Sequence, residues 1–158
     1  MTNSYLLIEG LEGTSSVVKK AIEIQSFSWG AHNSAASAKA SGESRAGRPD
    51  FSELSIMKSV DPTSHELLKN CLICKAFTQA TLGFMKQISD TNQEYFHIIL
   101  KQVYVSSLQV SGGGENPSES VSLAYEELEF GYAPEKPDKK GLDGFKFMKY
   151  SVKENKPL

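Results

Sequence analysis

Cysteine is scarce in this sequence. The 158 residues include two cysteines, Cys71 and Cys74, and three histidines. Disulfide-rich secreted scaffolds and zinc modules need more of these residue types, so the composition excludes both classes. A chain of this size buries roughly 68–70% of its unfolded surface, which is enough for a stable core. We therefore expect a single domain, residues 1–158, that needs no disulfide, metal or cofactor.

An excess of positive charge is also absent. The formal net charge is -2 at pH 7, and the pI is about 5.9. Binding to a nucleic-acid backbone or to anionic lipid requires a basic surface. The sequence therefore predicts neither a nucleic-acid partner nor insertion into a membrane.

Long apolar runs are missing as well. The longest, such as residues 96–100, fall far short of the roughly 20 residues that a membrane-spanning helix needs. Near the N-terminus, Leu6, Leu7 and Ile8 follow no basic residue and end at Glu9, which is not the pattern of a signal peptide. We expect synthesis in the cytoplasm and, if the protein is secreted, export without a cleavable signal peptide.

The hydrophobic pattern predicts several strands and one helix. The strand-like segments are rich in β-branched and aromatic residues or alternate in polarity, with glycine and proline turns between them. They lie at residues 5–11, 21–30, 51–60, 75–88, 94–110, 121–132 and 145–153. A helix is predicted at 64–73, capped by Thr63 or Ser64, with Leu67, Leu68, Cys71 and Leu72 in one apolar stripe. This pattern is typical of a mainly β fold, a compact two-sheet antiparallel β-barrel or sandwich with one α-helix.

Two predicted strands change the parity of their apolar residues. Ile22 and Ile24 share one side, whereas Phe27 and Trp29 share the other. A similar change occurs near residues 126–127. A β-bulge would account for each change, and burial on both faces is the alternative for the first.

Residues 31–50 have a different composition. Alanine, serine and glycine dominate them, no sustained period is present, and Arg45 and Arg48 lie near the end. The segment is predicted to be a long surface loop. Loops of this length in compact domains are often functional.

Motifs that carry chemistry are few. Cys71 and Cys74 have the Cys-x-x-Cys spacing of redox pairs and zinc half-sites, but they lie at the C-terminal end of the predicted helix, where the dipole disfavours a thiolate. Packing of two small side chains under the helix is the favoured interpretation. Glu127 and Glu129 share a strand face, which suggests either paired acid-base carboxylates or, as we favour, interface or solvated charges. His97 has no neighbouring nucleophile motif, so no enzyme is predicted.

Seven stretches form a further pattern in consistent order along nearly the whole chain. They are Phe-Ser-Trp-Gly at 27–30, the small-residue loop after it, the Glu-Leu-Ser-Ile-Met-Lys-Ser-Val-Asp strand within 51–61, the helix ending at Cys71 with 75–82, residues 95–107, a glycine-rich loop with 119–123, and residues 150–155. Together they resemble the haemolysin-coregulated protein (Hcp) family, which forms the tube of the bacterial type VI secretion system. Phe27 departs from the family's more frequent tryptophan, and Ile73 with Cys74 alters the helix exit.

The resemblance implies a secreted structural subunit without catalytic residues, metal or cofactor. Such subunits form homohexameric rings that stack into a hollow tube and carry or chaperone small effector proteins in its lumen. The implied partners are other copies of the chain and the spike, sheath and baseplate proteins of the same system. A monomeric secreted β-sandwich binding module and a small secreted hydrolase-type effector are the alternatives.

Five residues are candidates for these contacts. Ser28 has the parity opposite to Phe27 and Trp29, and the family pattern has a small polar residue there, so Ser28 is the candidate for a position facing the lumen and cargo. A plain solvent-facing serine is the alternative. Subunit or ring interfaces are assigned to two arginines and two glutamates, which we expect to pair across the contact. They are Arg45, Arg48, Glu126 and Glu129.

Overall fold

The computed structural model describes residues 3–33, 49–138 and 140–158. Within these ranges the chain forms strands and one helix, so the predicted mainly β class is confirmed. The strands are β1 (Ser4–Ile8), β2 (Ile22–Glu23), β3 (Ser26–Ser28), β4 (Ala31–Asn33), β5 (Pro49–Phe51), β6 (Leu54–Ser59), β7 (Phe77–Ile88), β8 (Thr91–Ser111), β9 (Ser118–Tyr132), β10 (Lys146–Ser151) and β11 (Lys156–Pro157), and the helix α1 is Ser64–Ile73. In the described ranges, no helix has the length and apolar character needed to cross a membrane.

Two long strands, β8 and β9, belong to both halves of an antiparallel sheet. The first half has the strand order β11-β10-β9-β8-β7-β1-β2. In the second half, β6 pairs with residues 118–123 of β9, and β3 pairs with β6. The chain crosses from the outer edge of the first half to that of the second between β2 and β3, where the Gln25 amide donates to the Met57 carbonyl (2.7 Å). This connection produces the expected two-sheet arrangement.

The predicted strand at 21–30 is two short strands with different partners. β2 pairs with β1, whereas β3 pairs with β6. Ile24 is buried in the break between them, and Phe27 beyond it packs edge-on against Phe84 (ring centroids 5.6 Å apart). The change of parity therefore marks a change of partner, and the predicted bulge within one strand is wrong.

The second predicted bulge, near residues 126–127, is also misplaced. The pairing of β9 with β8 continues in one register from Glu129 to Leu123. The irregularities lie on β8, where Gln102 has a φ of 52° and the register shifts between Val105 and Ser107. A left-handed residue or an extra residue in one strand re-aims the side chains that follow, which a pattern read on β9 alone cannot locate.

The predicted loop at 31–50 has a strand at each end. β4 and β5 pair as a two-stranded sheet, with Ala31 opposite Phe51 and Asn33 opposite Pro49. All three β4 residues are exposed, so there is no buried face to impose an alternating hydrophobic pattern. The loop interpretation is thus corrected at both ends. Arg45 and Arg48 lie outside the described residues.

The helix has the predicted bounds, but its buried face is narrower than the predicted stripe. Leu67 and Asn70 are buried, whereas Leu68 is 43% and Leu72 is 75% exposed. Thr63 is the N-cap residue, as predicted, but neither hydroxyl bonds a free amide of the first helical turn. The Thr63 hydroxyl donates instead to Asp61 Oδ1 (2.5 Å), and the Ser64 hydroxyl accepts from the Asp61 amide (3.0 Å).

The hydrophobic core lies between the two halves and α1. It combines aliphatic side chains from both halves with partly buried aromatic side chains that pack against them. Its most buried members are Leu6, Ile8, Ile22, Ile24, Leu54, Ile56, Leu67, Ala80, Leu82, Ile98, Leu100, Val103, Val121 and Leu123.

Candidate functional site

Ser28 lies within a broad outward face of the second half that consists almost entirely of serines. Residues directly opposite each other in an antiparallel pair point to the same side of the sheet. Ser28 lies opposite Ser55, and Ser55 lies opposite Ser122. Ser122 lies opposite Ser107, so four strands contribute to one row. We call this surface the serine face; its members are Ser26, Ser28, Ser55, Met57, Ser59, Ser107, Gln109, Ser111, Ser118, Ser120 and Ser122.

The alternate positions of the same strands build the core, which is why the serines point outward. Leu54, Ile56 and Leu123 are fully buried. On β8 the register shift after Val105 turns Ser107 outward and lets Leu108 pack against the core. The Ser106 hydroxyl at the shift donates to the Ser122 carbonyl (3.1 Å).

The serine face carries no ionisable side chain. Each serine hydroxyl can donate one hydrogen bond and accept others, and its small size lets a partner's backbone approach closely. Some of these groups bond locally: Gln25 Nε2 donates to Ser59 Oγ (3.0 Å), and Ser111 and Ser118 lie 3.3 Å apart at their hydroxyls. Among the described residues, none of these hydroxyls bonds to a histidine. The arrangement therefore suits non-covalent contact.

Trp29 anchors β3 behind the serine face. Its Nε1 donates to the Tyr125 hydroxyl (2.6 Å), which donates to the Ser52 carbonyl (2.8 Å). The indole also stacks on Phe130, with ring centroids 5.9 Å apart. Burial raises the pKa of Tyr125, an effect that the Trp29 hydrogen bond opposes and the charge of Glu53 reinforces. Trp29 thus holds Ser28 in place from the opposite side of the strand.

The two glutamates expected at an interface lie on β9, in the part that pairs with β10, away from the serine face. Glu129 Oε2 is 2.8 Å from His97 Nε2, and its Oε1 is 3.6 Å from Lys149 Nζ. The backbone carbonyl of Glu126 accepts hydrogen bonds from Val152 (2.8 Å) and Lys153 (3.2 Å). The structure brings neither of them next to Ser28.

The two cysteines have different surroundings at the end of α1. Cys71 is half-buried and packs against the core, as the favoured interpretation expected. Cys74 is exposed in a left-handed conformation (φ 53°), so the prediction that it packs under the helix is wrong. The Cys74 amide donates to the Cys71 carbonyl (3.4 Å), which ends the helix.

A buried ion pair joins β6 to β9 and was missed by the sequence reasoning. Lys58 and Glu119 face each other in the register and are each 1% exposed at the side chain. Lys58 Nζ contacts the Glu119 carboxylate and lies 3.1 Å from Asp61 Oδ1. Ser64 Oγ, at the start of α1, donates to Glu119 Oε1 (2.7 Å). This cluster fixes the helix to the sheet.

A second polar network crosses the outer face of the first half. Tyr5 on β1 donates to the Glu94 carboxylate on β8, and His97 lies between Glu94 and Glu129. Two glycines make room for these side chains. A Cβ on Gly83 would lie 2.5 Å from the Tyr5 ring, and one on Gly131 would lie 2.8 Å from His97 Nε2. The sequence shows these glycines, but only the register shows what covers them.

Replacing Tyr5 with phenylalanine should reduce the amount by which the free energy of unfolding falls at alkaline pH. Burial, the hydrogen bond to Glu94 and the charge of Glu94 together raise the pKa of Tyr5 far above its ordinary value. Tyrosine in the unfolded chain loses its proton at about pH 10. The stabilisation that Tyr5 gives the folded state is therefore fully present below that pH and is lost as the pH rises above it. Urea unfolding at about pH 9 and about pH 11 measures the difference.

The matched control for this variant is Tyr132→Phe, because Tyr132 is 49% exposed. We expect this control to keep the wild-type dependence on alkaline pH. Equal slopes for wild type and Tyr5→Phe would contradict the assignment of the alkaline loss to Tyr5.

Comparisons with known proteins give a consistent family. Residues 5–132 match the family model described as "Type VI secretion system effector, Hcp". Protein hcp1 of Pseudomonas aeruginosa is 34% identical over 88 residues, which are 54% of each chain. The match thus spans about half the length of this curated relative.

Solved structures share the whole fold. The structure of a type six secretion system protein superposes with a TM-score of 0.85 at 25% identity, covering 100% of both chains. Hcp1 from Salmonella typhimurium superposes with a TM-score of 0.78 at 24% identity, covering 98% of this chain and 97% of that one. At the latter identity the likeness establishes the fold alone.

Proposed function

Because the chain belongs to the Hcp family of the type VI secretion system, we propose that it is a non-catalytic subunit of hexameric rings that stack into a hollow tube carrying effector proteins. Hcp proteins of this system are secreted; for this chain we add cytoplasmic synthesis and export without a cleavable signal. The proposed partners are other copies of the chain, the spike, sheath and baseplate proteins, and small effectors in the lumen.

The serine face is the observation that carries this proposal. A lumen that accepts different effectors and then releases them needs a surface that neither attracts nor repels one charge type. Eleven neutral side chains on four strands meet this requirement, and Ser28 lies at their edge on β3. We therefore assign the serine face to the lumen, with Ser28 as a cargo contact.

Ring formation is tested by the mass of the purified protein. Light scattering across a dilution series should give a species near six times the 17.3 kDa of one chain. A monomer at every concentration would favour the alternative of a β-sandwich binding module and would contradict the ring proposal at the concentrations measured.

Ser28→Gln should leave the rings intact and weaken cargo retention. The longer side chain would prevent close approach to the serine face, and we expect a loss of about 5–30-fold in effector affinity, equivalent to about 1–2 kcal/mol. Co-purification of effector with ring-sized protein measures the effect. Ser16→Gln is the matched control, because Ser16 is exposed between β1 and β2. Equal retention by both variants would remove Ser28 from the cargo site.

The interface proposal concerns the segment between β4 and β5. Both strands project exposed residues, which supports an arm that reaches a neighbouring copy. We propose that Arg45 and Arg48 of this segment pair with Glu126 and Glu129 of the next subunit. Because Glu129 already contacts His97 and Lys149 in its own chain, Glu126 is the better test. Glu126→Lys should lower the ring mass, and an unchanged mass would argue against this contact.

A further inference from the structure

His97 is a buried histidine whose two ring nitrogens both face carboxylates. It lies on β8 and is 7% exposed. Nε2 is 2.8 Å from Glu129 Oε2, and Nδ1 is 3.5 Å from Glu94 Oε2. At that longer distance, buried Nδ1 has no hydrogen-bond partner among the described residues. The ring stacks on Phe145, with centroids 4.5 Å apart and an interplanar angle of 21°.

The charged groups around His97 come from several elements. β1 contributes Tyr5, which donates to Glu94 and is uncharged at neutral pH. β8 contributes Glu94, β9 contributes Glu129, and β10 contributes Lys149, which lies 3.6 Å from Glu129. β7 presents Gly83 in the same row. The Lys149 ammonium group contacts one of the two carboxylates, that of Glu129, so a positive charge on His97 would balance the charge of Glu94.

The protonation state of the imidazole decides how many of these contacts form. A neutral ring has one N–H donor, and its other nitrogen points a lone pair at a carboxylate. An imidazolium ring donates from both nitrogens. Therefore only the imidazolium can donate to both Glu94 and Glu129. In either form the face of the ring packs on Phe145.

Phe145 lies at the end of a segment that is bonded largely to itself. In the part between β9 and β10 that is described, Lys136 donates to the Gly141 carbonyl (2.9 Å), and Asp143 donates to the Pro134 carbonyl (2.7 Å). Glu135 also contacts Lys86 on β7 (3.2 Å). The stacking of Phe145 on His97 is thus a main contact of the end of this segment with the sheet.

We propose that His97 is a proton-dependent latch, which as an imidazolium ties Glu94 to Glu129 and holds the segment ending at Phe145 against the sheet. The latch is closed while both ring nitrogens carry a proton, and it loosens when one of these protons is lost. This inference is independent of ring formation and of cargo binding.

Amide hydrogen exchange of residues 140–147 tests the latch. After correction for the intrinsic pH dependence of exchange, protection in wild type should fall at least about threefold between about pH 5.5 and about pH 8. In His97→Gln the ratio of the two protection factors should be close to one. Imidazole nitrogen chemical shifts in wild type should report an imidazolium at the lower pH.

Two further variants keep the result decisive. Glu129→Gln removes one of the two negative charges and should reduce the ratio of the two protection factors even if His97→Gln folds poorly. His65→Gln, on the exposed side of α1, should keep the wild-type ratio. The proposal would be overturned if protection in wild type did not change with pH. It would also be overturned if His97→Gln and Glu129→Gln both kept the wild-type ratio of protection factors.

Discussion

Replacing Lys58 with methionine is expected to lower the free energy of unfolding by about 3–5 kcal/mol. Lys58 and Glu119 are both almost fully buried, and Glu119 Oε2 has no hydrogen-bond partner among the described residues. Without the ammonium group, the Glu119 carboxylate would remain in the interior, and within the described part of the chain the Ser64 hydroxyl would be its one remaining side-chain partner. Urea unfolding at neutral pH measures the loss.

The double variant Lys58→Met, Glu119→Leu separates a buried charge from a lost packing contact. Replacing both members of a buried pair by apolar side chains is often neutral or stabilising, so most of the lost stability should return. Lys86→Met is the matched control, because the Lys86–Glu135 pair is largely exposed and should contribute at most about 1 kcal/mol. A double variant as unstable as the single one would show that the charge was not the cause.

Gly83→Ala should destabilise the domain by about 2–4 kcal/mol. This is the reverse of the usual effect, because alanine is normally more stable than glycine in the interior of a strand. An added Cβ would lie 2.4 Å from Glu94 Oε1 and 2.5 Å from the Tyr5 ring. Tyr5 is 7% exposed, so its ring has little room to move without breaking its hydrogen bond to Glu94. Thermal and urea unfolding measure the effect.

A second alanine variant controls for the change of residue type. Gly114 lies in the exposed turn between β8 and β9, and a Cβ there meets nothing within 4 Å. Gly114→Ala should change stability by less than about 0.5 kcal/mol. The steric explanation fails if Gly83→Ala is as stable as Gly114→Ala.

Local patterns were sufficient for some parts of the fold. The bounds of α1 follow from Asp61-Pro62 before it and the apolar spacing within it, and the outward direction of Ser28 follows from the parity of Phe27 and Trp29. These features depend on neighbours within a few residues. The same holds for the long strand β7, whose residues alternate in polarity.

Pairing between distant segments could not be predicted in this way. Lys58 interrupts an apolar series, and its partner Glu119 lies 61 residues away. His97 and Glu129 are 32 residues apart. Likewise, serines recur on four strands, but their union into one face depends on strand order and on the bulge in β8. Local sequence carries little information about strand order or about the position of the bulge.

The long strands β8 and β9 have a mechanical consequence. Each runs through both halves of the sheet. One half therefore cannot unfold without breaking hydrogen bonds between β8 and β9 that also stabilise the other half. Unfolding should therefore be a single cooperative event, with Trp29 fluorescence and the amides of β10 reporting the same transition. A subunit pushed or pulled along its length would then transmit the force through two continuous strands and yield only when the whole domain does.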